Sequence, residues 1–292
     1  MLEKLKNKIE AKRAAKNIFW FLLVLAKDYL WWLGQIIETQ FGRGQMKFKP
    51  SYLKIRKQLS LPPIIIGGTS RSGTTLLLSI LSAHPDIFAI PFETYAFANP
   101  WNKNQHLTPP LRLDKIYQCL ADYEIPKNCH RWCEKTPWNI FWFNDIFRLF
   151  KGRVKLIFIV RDGRDAVLSI KSNNPNRPFA QKVEDWTEEA EAALIYKNNP
   201  LILGIKYEDL VLNYEATIRK VLNFIGEEFD ERILLWDQYA TVQTHRAWAG
   251  PARPLFSDSI GKWKKPEYQS KIEELLQNPK VIYLLKELGY LD

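Results

Sequence analysis

Residues 62–75 read PPIIIGGTSRSGTT, and this stretch decides the fold class of the chain. The run of isoleucines between prolines and glycines predicts a short strand over residues 62–68. The run is continuously apolar rather than alternating, which is typical of a strand covered on both faces in a parallel sheet. The next segment, TTLLLSILS over residues 74–82, predicts the helix that follows this strand.

Two further apolar runs repeat the pattern of strand, turn and helix. KLIFIV over residues 155–160 precedes RDGRDAVLSIKS, and LILGIKY over residues 201–207 precedes another helical segment. Strands that alternate with helices predict an α/β fold with a doubly wound, mainly parallel central sheet flanked by helices. Ligands of such sheets bind beyond the carboxyl ends of the strands, so we expect the site just after these runs.

Gly68 and Gly73 have the Gly-x-x-x-x-Gly spacing of a phosphate-binding loop. Glycines let successive backbone amides point inward, and the helix that begins near Thr74 adds its positive end, so this P-loop-like turn predicts an anion site. Nucleotide hydrolases require lysine at position 74, whereas here Arg71 lies inside the loop instead. A glycine turn without a ligand is the alternative interpretation.

The second strand leads into RDGRDAVLS, residues 161–169, which offers a second anion site. Arg161 follows the strand directly, and we expect Ser169 about two turns into the next helix. A guanidinium and a hydroxyl so placed are able to hold a second phosphate. The alternative is a structural ion pair between Arg161 and Asp162, with Ser169 merely exposed on the helix.

Composition narrows the class of partner. The 292 residues carry a formal charge of +10, which predicts an anionic substrate, cofactor or surface. With 46% hydrophobic and 25% charged residues, the chain is not of the disordered type. Its three cysteines are too few and too scattered for a disulfide framework or a zinc site. We expect no metal.

Residues 1–50 are expected to form a basic and apolar helical extension, and residues 51–292 a single α/β domain. IFWFLLVLA over residues 18–26 is shorter than the roughly 20 apolar residues of a membrane-spanning helix. A buried helix, a helix lying on a membrane surface and a partner contact through residues 1–37 all stay open. No cleavable signal peptide is expected, which favours a cytoplasmic protein, with peripheral membrane contact left open.

Two segments, GGTSRSGTTLL over residues 67–77 and LIFIVRDGRDAVLS over residues 156–169, together resemble the phosphate-binding segments of one family. This is the sulfotransferase family that uses 3'-phosphoadenylyl sulfate (PAPS). The stretches HPDIFAIPFET, EKTPWN, KYEDLV and SIGKW match it in order, so the resemblance runs from about residue 62 to residue 265. It is nearest in character to tyrosylprotein sulfotransferases and related bacterial enzymes.

The resemblance implies transfer of a sulfuryl group from PAPS to the hydroxyl of a tyrosine, a saccharide or a small molecule. The product would be 3',5'-adenosine bisphosphate (PAP). The resemblance implies Glu93 as the general base, and Lys135 and Arg71 as groups that stabilise charge in the transition state. The cofactor-binding residues that it implies are Arg71, Ser72, Gly73, Thr74, Thr75, Arg161, Ser169, Tyr207 and Lys262.

The surroundings of the implied catalytic residues are also predicted. Glu93 is expected to be desolvated among Phe92, Tyr95 and Phe97, which would favour its action as a base. A surface or capping carboxylate is the alternative for Glu93. A surface ion pair with the neighbouring Glu134 is the alternative for Lys135.

The sequence departs from the tyrosylprotein pattern at two places. Asn173 stands where those enzymes have a further basic ligand of the 3'-phosphate. Their catalytic serine has no clear counterpart in THRAWAGPARPLF, where Thr244 and His245 are the candidates. The acceptor is therefore left open, as is a homodimer.

Two other functions are alternatives to sulfuryl transfer. A P-loop kinase or nucleotide hydrolase is disfavoured by Thr74, which stands in place of the lysine. A non-catalytic module that binds anions or nucleic acid is disfavoured because Glu93 and Lys135 are present. No nucleic-acid partner is expected.

Overall fold

The structure is a computed structural model that describes residues 50–98, 111–169, 177–244, 251–252 and 254–291. The predicted N-terminal extension therefore lies outside the described residues, apart from Pro50 at its end. No helix within the described ranges is both long enough and apolar enough to cross a membrane.

A parallel sheet forms the centre of the described structure, with strand order β2-β3-β1-β4-β5. Every neighbouring pair in it is parallel. The strands are β1 (Ile64–Gly68), β2 (Ile87–Ala89), β3 (Arg131–Lys135), β4 (Lys155–Val160) and β5 (Ile202–Lys206). This confirms the predicted α/β class and the three predicted strands, and their ends agree with the prediction to within about two residues.

Helices connect and cover the strands. The α-helices are α1 (Pro50–Gln58), α2 (Thr74–Leu81), α3 (Leu113–Ala121), α4 (Phe143–Leu149), α5 (Gly163–Leu168), α6 (Phe179–Tyr196), α7 (Tyr207–Leu212), α8 (Tyr214–Ile225), α9 (Trp236–Tyr239), α10 (Gln269–Leu276) and α11 (Pro279–Glu287). Short 3₁₀ helices span Pro137–Trp142, Glu231–Leu235, Lys262–Lys264 and Pro266–Tyr268.

The isoleucines of β1 explain why this strand lies at the centre. Ile64, Ile65 and Ile66 are each 0% exposed. Ile65 packs into one hydrophobic cluster, whereas Ile64 and Ile66 pack into a second cluster on the opposite face of the sheet. Alternate side chains of a strand point to opposite faces, so a run without polar residues fits a strand that is covered on both sides.

Two strands were missed by the prediction. β2 has only three residues and gives little periodic signal. β3 reads RWCEK, and its three charged side chains argue against a central strand by composition. They are nevertheless buried, because each has an internal partner; Arg131, for example, donates to Glu227 at 2.6 Å.

Strand register brings the expected site residues to one edge. Ile66 pairs with Lys135 on β3, and Gly68 pairs with Ile159 on β4. The three central strands therefore end within about three residues of one another along the strand direction. The loop after β1, the turn after β4 and the end of β3 meet there, at the edge where parallel α/β sheets bind ligands.

Helix α5 is shorter than predicted. It ends at Leu168, and Ser169 adopts an extended conformation with φ −71° and ψ 124° rather than lying within the helix. The expectation that Ser169 lies two turns into a helix is therefore wrong. Its hydroxyl accepts a hydrogen bond from Arg71, and this bond joins the end of the helix to the phosphate loop.

Candidate active site

The loop after β1 depends on its two glycines. Gly68 has φ +142°, and a Cβ there would lie 2.1 Å from the carbonyl oxygen of Ile159. Gly73 has φ +90°, and a Cβ there would lie 2.6 Å from Cδ2 of Tyr207. A side chain at either position would both strain the backbone and collide with its neighbour. The two glycines that suggested a phosphate loop thus have a physical reason for their positions.

Ser72 fastens the loop to β4. Its hydroxyl lies within hydrogen-bonding reach of two carbonyl oxygens, that of Ile159 at 2.9 Å and that of Thr69, and has one proton to donate between them. The Ser72 N–H donates to the Thr69 carbonyl oxygen at 3.2 Å. Thr74 and Thr75 begin α2 and are buried. The predicted residues from 71 to 75 thus form one continuous turn that enters the N-terminus of a helix.

Arg71, Arg161 and Ser169 come together, as the sequence predicts. Arg71 Nε donates to Ser169 Oγ at 3.0 Å, and Arg161 Nη1 donates to the carbonyl oxygen of Arg71 at 3.2 Å. Asp162 pairs with Arg164 at 2.7 Å. The alternative of a structural ion pair between Arg161 and Asp162 is therefore wrong. Arg161 contacts the phosphate loop instead.

This arrangement concentrates positive charge. Burial lowers the pKa of the Arg71 guanidinium, and repulsion from Arg161 lowers it further. Arg161 Nε is buried and has no hydrogen-bond partner among the described residues. An anion bound here would satisfy that donor and offset the repulsion between the two guanidiniums.

The segment that contains Lys262 is held against the turn after β4. Asp165 on α5 accepts the backbone N–H of Gly261 at 2.7 Å and that of Trp263 at 3.0 Å. Lys262 lies between these two anchors, and its ammonium lies 5.1 Å from the ring centre of Tyr268. The prediction overlooked Asp165, although its place in RDGRDAVLS, four residues after Arg161, was a usable signal.

Tyr207 makes a second contact to the same segment. Its hydroxyl lies 2.8 Å from the hydroxyl of Ser259, and its ring lies 4.6 Å from the guanidinium carbon of Arg161. Arg161 also donates to the carbonyl oxygen of Ser259. Ser259 was not predicted, because a serine in a loop far along the chain carries no local signal.

The predicted catalytic pair is also assembled. Lys135 Nζ lies 2.7 Å from Glu93 Oε1, and the lysine side chain is 0% exposed whereas that of the glutamate is 12% exposed. Tyr95 donates its phenolic O–H to Glu93 Oε2 at 2.6 Å. Lys135 is therefore half of a buried ion pair with Glu93, and the alternative of a surface pair with Glu134 is wrong.

Of the three aromatic residues expected around Glu93, Tyr95 makes a direct hydrogen bond to it. Phe97 is buried in the hydrophobic core, whereas Phe92 is 40% exposed. The Glu93 side chain itself is 12% exposed. Its carboxylate is therefore largely desolvated but still reaches the protein surface.

Glu134 points away from Lys135, as neighbours on a strand do. It is fully buried, and its carboxylate accepts hydrogen bonds from the hydroxyls of Thr94 and Thr136 and from the Asn139 amide at 2.6 to 2.9 Å. Burial raises the pKa of Glu134, and these hydrogen bonds act in the opposite direction. Because Thr94 follows Glu93 in the chain, this network fixes the segment that carries the candidate base.

Some predicted residues lie outside the described part of the chain, among them Asn173 and His245. Thr244 is described and is exposed.

Trp186 is buried, and a Cβ on Gly163 would lie 2.5 Å from its indole ring, so the indole packs under the turn after β4. It is a core residue.

Comparison with known proteins now identifies the family. A model described as "Sulfotransferase family" matches residues 62–115 and 112–231, which is more than half of the chain. The chain belongs to the sulfotransferase family. The match spans β1 to the end of α8, and so includes the phosphate loop, the Glu93–Lys135 pair and the turn after β4.

Curated relatives of this sulfotransferase-family chain are protein-tyrosine sulfotransferases. The putative enzyme of Caenorhabditis briggsae is 28% identical over 191 residues, which are 59% of this chain and 68% of that protein. The Drosophila melanogaster enzyme is 26% identical over 238 residues, which are 70% of this chain but only 47% of that protein. The chain thus spans about half the length of the fly protein.

Solved structures agree with the fold. The sulfotransferase domain of the Synechococcus PCC 7002 olefin synthase superposes with a TM-score of 0.54 at 19% identity, and covers 78% of this chain and 94% of that one. The predictions of a sulfotransferase and of a P-loop-like α/β fold are confirmed. The family assignment is consistent with the predicted PAPS cofactor.

Proposed function

We propose that this sulfotransferase transfers the sulfuryl group of PAPS to an acceptor hydroxyl, with Glu93 as the general base. One contact carries the proposal: the Glu93 carboxylate accepts a phenolic O–H, from Tyr95, at 2.6 Å while Lys135 binds its other oxygen at 2.7 Å. A carboxylate so placed is able to receive the proton of a hydroxyl brought against it.

The residues present fit an anionic nucleotide with two phosphate groups. The loop from Gly68 to Gly73, with Arg71, would hold the 5' end, and Arg161 with Ser169 would hold the 3'-phosphate. The buried Arg161 Nε, which has no partner among the described residues, supports an anion at this place. When bound, PAPS supplies an activated sulfuryl group and a phosphate leaving group.

The side chains then have separate tasks. Glu93 orients the acceptor hydroxyl and takes its proton. Lys135 and Arg71 supply fixed positive charge, Lys135 from a fully buried position, where negative charge builds up on the oxygens of the sulfuryl group and of the leaving phosphate. Lys135 is well suited to this because it is held in place by Glu93 before any substrate arrives.

For the acceptor, we propose a phenolic hydroxyl of the tyrosine type. The proposal is supported by the curated relatives, which are protein-tyrosine sulfotransferases, and by the hydrogen bond that Glu93 accepts from the phenolic hydroxyl of Tyr95. The exposed ring of Phe92, next to Glu93 in the chain, offers an apolar surface on which an aromatic acceptor would pack. Saccharide hydroxyls and aliphatic alcohols are the alternatives.

The test is an acceptor screen with labelled PAPS. The panel contains tyrosine peptides, a simple phenol, saccharides and aliphatic alcohols, and the Arg71→Ala variant is run beside the wild type. We expect label transfer to phenols with the wild type and a loss of roughly a hundredfold or more with the variant. Absence of PAP binding together with magnesium-dependent ATP turnover would overturn the proposal in favour of a nucleotide hydrolase.

A further inference from the structure

A buried carboxylate that the proposed chemistry does not use is attached to the phosphate loop. Glu189 lies on α6 and is 1% exposed. Its Oε2 accepts the backbone N–H of Ser70 at 2.5 Å, and its Oε1 accepts the Ser70 hydroxyl at 2.7 Å. Trp138 donates its indole N–H to the same Oε1 at 2.8 Å. One side chain thus joins three segments of the chain.

The three hydrogen bonds to Glu189 require that its carboxyl group be ionised. Each of the three partners donates, and an ionised carboxylate accepts at both oxygens. A protonated carboxyl group, or the amide of glutamine, would turn a donor of its own toward one of these partners. The bonds of Glu189 to Ser70 and Trp138 are therefore complete only while Glu189 is negative.

The contact also fixes the backbone just before Arg71. Arg71 adopts φ +67°, a left-handed conformation that non-glycine residues seldom take and that needs support from its surroundings. Glu189 holds the preceding residue, Ser70, by both its N–H and its hydroxyl. With that residue fixed, the Arg71 side chain reaches Ser169 at 3.0 Å.

We infer that Glu189 is a positioning residue of the phosphate loop, whose ionised carboxylate holds Ser70 and so presents Arg71 to the anionic cofactor. The inference rests on the proposed function, because it takes the anion to be a phosphate group of PAPS or PAP. Glu189 acts through Ser70 and Arg71.

The charges around Glu189 give the inference a pH dependence. It lines a cavity with four charged residues: Arg71, Arg177, Lys182 and Asp185. Burial raises the pKa of Glu189, and the charge of Asp185 adds to this, whereas the hydrogen bonds from Ser70 and Trp138 lower it. As the pH falls through this raised pKa, Glu189 takes up a proton, the hold on Ser70 weakens, and affinity for PAP decreases.

The experiment is calorimetric titration of the full chain with PAP. Glu189→Gln is compared with wild type and with Glu184→Gln, which changes an exposed glutamate of the same helix. We expect Glu189→Gln to weaken PAP binding about tenfold or more, since charge-assisted hydrogen bonds are lost. Glu184→Gln should bind as the wild type does. Ser70→Ala, which removes one donor, should weaken binding about threefold.

A pH series separates positioning from general damage. Between neutral and mildly acidic pH, PAP affinity of the wild type and of Glu184→Gln should fall more than that of Glu189→Gln, since titration of PAP itself is common to all three. Should Glu189→Gln fail to fold, Ser70→Ala and Trp138→Phe decide the question through the same titration.

The outcomes are distinct. Equal PAP affinity for the wild type, Glu189→Gln and Ser70→Ala overturns the inference and leaves the proposed function standing. A wild-type protein that does not bind PAP overturns the proposed function, and this inference with it.

Discussion

Lys135 Nζ and Glu93 Oε1 are joined by a 2.7 Å ion pair in which the lysine is wholly enclosed and the glutamate is 12% exposed. The carboxylate therefore reaches the protein surface, whereas the ammonium does not. The pair links the end of β3 to the segment after β2.

The first prediction concerns the base. Glu93→Gln should reduce turnover roughly 10²- to 10⁴-fold, because the amide is unable to take the proton of the acceptor. Binding of PAP should stay within about twofold of the wild type, since Glu93 is not part of the phosphate loop. Initial rates and calorimetry measure the two effects, with the exposed Glu124→Gln as control. Loss of PAP binding together with turnover would assign Glu93 a structural role instead.

The second prediction concerns the stability of the ion pair. Lys135→Met should lower the free energy of unfolding by about 3–5 kcal/mol, because the largely buried Glu93 carboxylate loses its ion-pair partner Lys135. In a double-mutant cycle with Glu93→Gln, the double variant should lose less than the sum of the single losses, by about 1 kcal/mol or more. Urea unfolding provides the values.

The exposed pair of Arg219 and Glu215 on α8 serves as the reference cycle. Its side chains are 52% and 54% exposed, and we expect a coupling of only a few tenths, about 0.3–0.5 kcal/mol. Equal coupling energies for the two pairs would show that burial of Lys135 adds nothing to its interaction with Glu93.

The third prediction uses two glycines with similar backbones. Gly73 has φ +90° and its added Cβ would collide with Tyr207, whereas Gly226 has φ +80° and open space around its added Cβ. Gly226→Ala should cost about 1 kcal/mol in stability, from the backbone conformation alone. Gly73→Ala should cost about 1–3 kcal/mol more and should also weaken PAP binding.

Thermal unfolding and PAP titration of both glycine variants give the comparison. The difference between them isolates the contact with Tyr207 from the backbone cost that they share. If Gly73→Ala matches Gly226→Ala in stability and retains wild-type PAP affinity, then close packing of the loop on Tyr207 is not needed for binding.

The fourth prediction concerns pH and Glu208. This carboxylate accepts the backbone N–H of Asp162 at 3.0 Å and the Tyr290 hydroxyl at 2.9 Å. The pKa of Glu208 is raised above the ordinary value of 4.5, chiefly by burial and further by the negative charge of Asp162. The hydrogen bonds that Glu208 accepts lower its pKa, but by less than burial raises it. The folded protein therefore binds a proton here at a higher pH than the unfolded chain does.

The sign of the effect follows from that order of proton binding. As the pH falls from neutral through the raised pKa toward 4.5, the stability of the wild type should increase relative to Glu208→Gln, and below this window the difference should stay constant. Urea unfolding of both proteins across this range measures the difference. A difference that does not vary with pH would contradict the raised pKa.

The sequence was sufficient to predict the parts of the fold whose signal is local. The apolar run of β1 is covered on both faces, and the two loop glycines have positive φ. Both features can be predicted from a short stretch of sequence, because they depend on the residues within that stretch. The strand–turn–helix order then predicted which turns would meet, and Arg71, Arg161 and Ser169 do meet. Their roles as ligands stay predictions.

The parts that could not be predicted depend on distant partners. Each buried charge of β3 has a partner that lies roughly 40 to 100 residues away: Glu227 for Arg131, Glu93 for Lys135 and Thr94 for Glu134. Ser259 and Glu189 contact the site across 98 and 119 residues. No window of sequence contains both members of such a pair. Ser169 was misplaced for a related reason, since its hydroxyl bonds to Arg71 and the helix ends just before it.

The gathering of the candidate site at the carboxyl edge of the sheet has a practical consequence for handling the protein. The turn over residues 151–153, which leads into β4 at the opposite edge, is exposed. A dye, a surface tether or a fused reporter attached at Lys151 would lie at the end of the sheet opposite the candidate site. Single-molecule or sensor-chip measurements of nucleotide binding then leave the candidate site facing free solution.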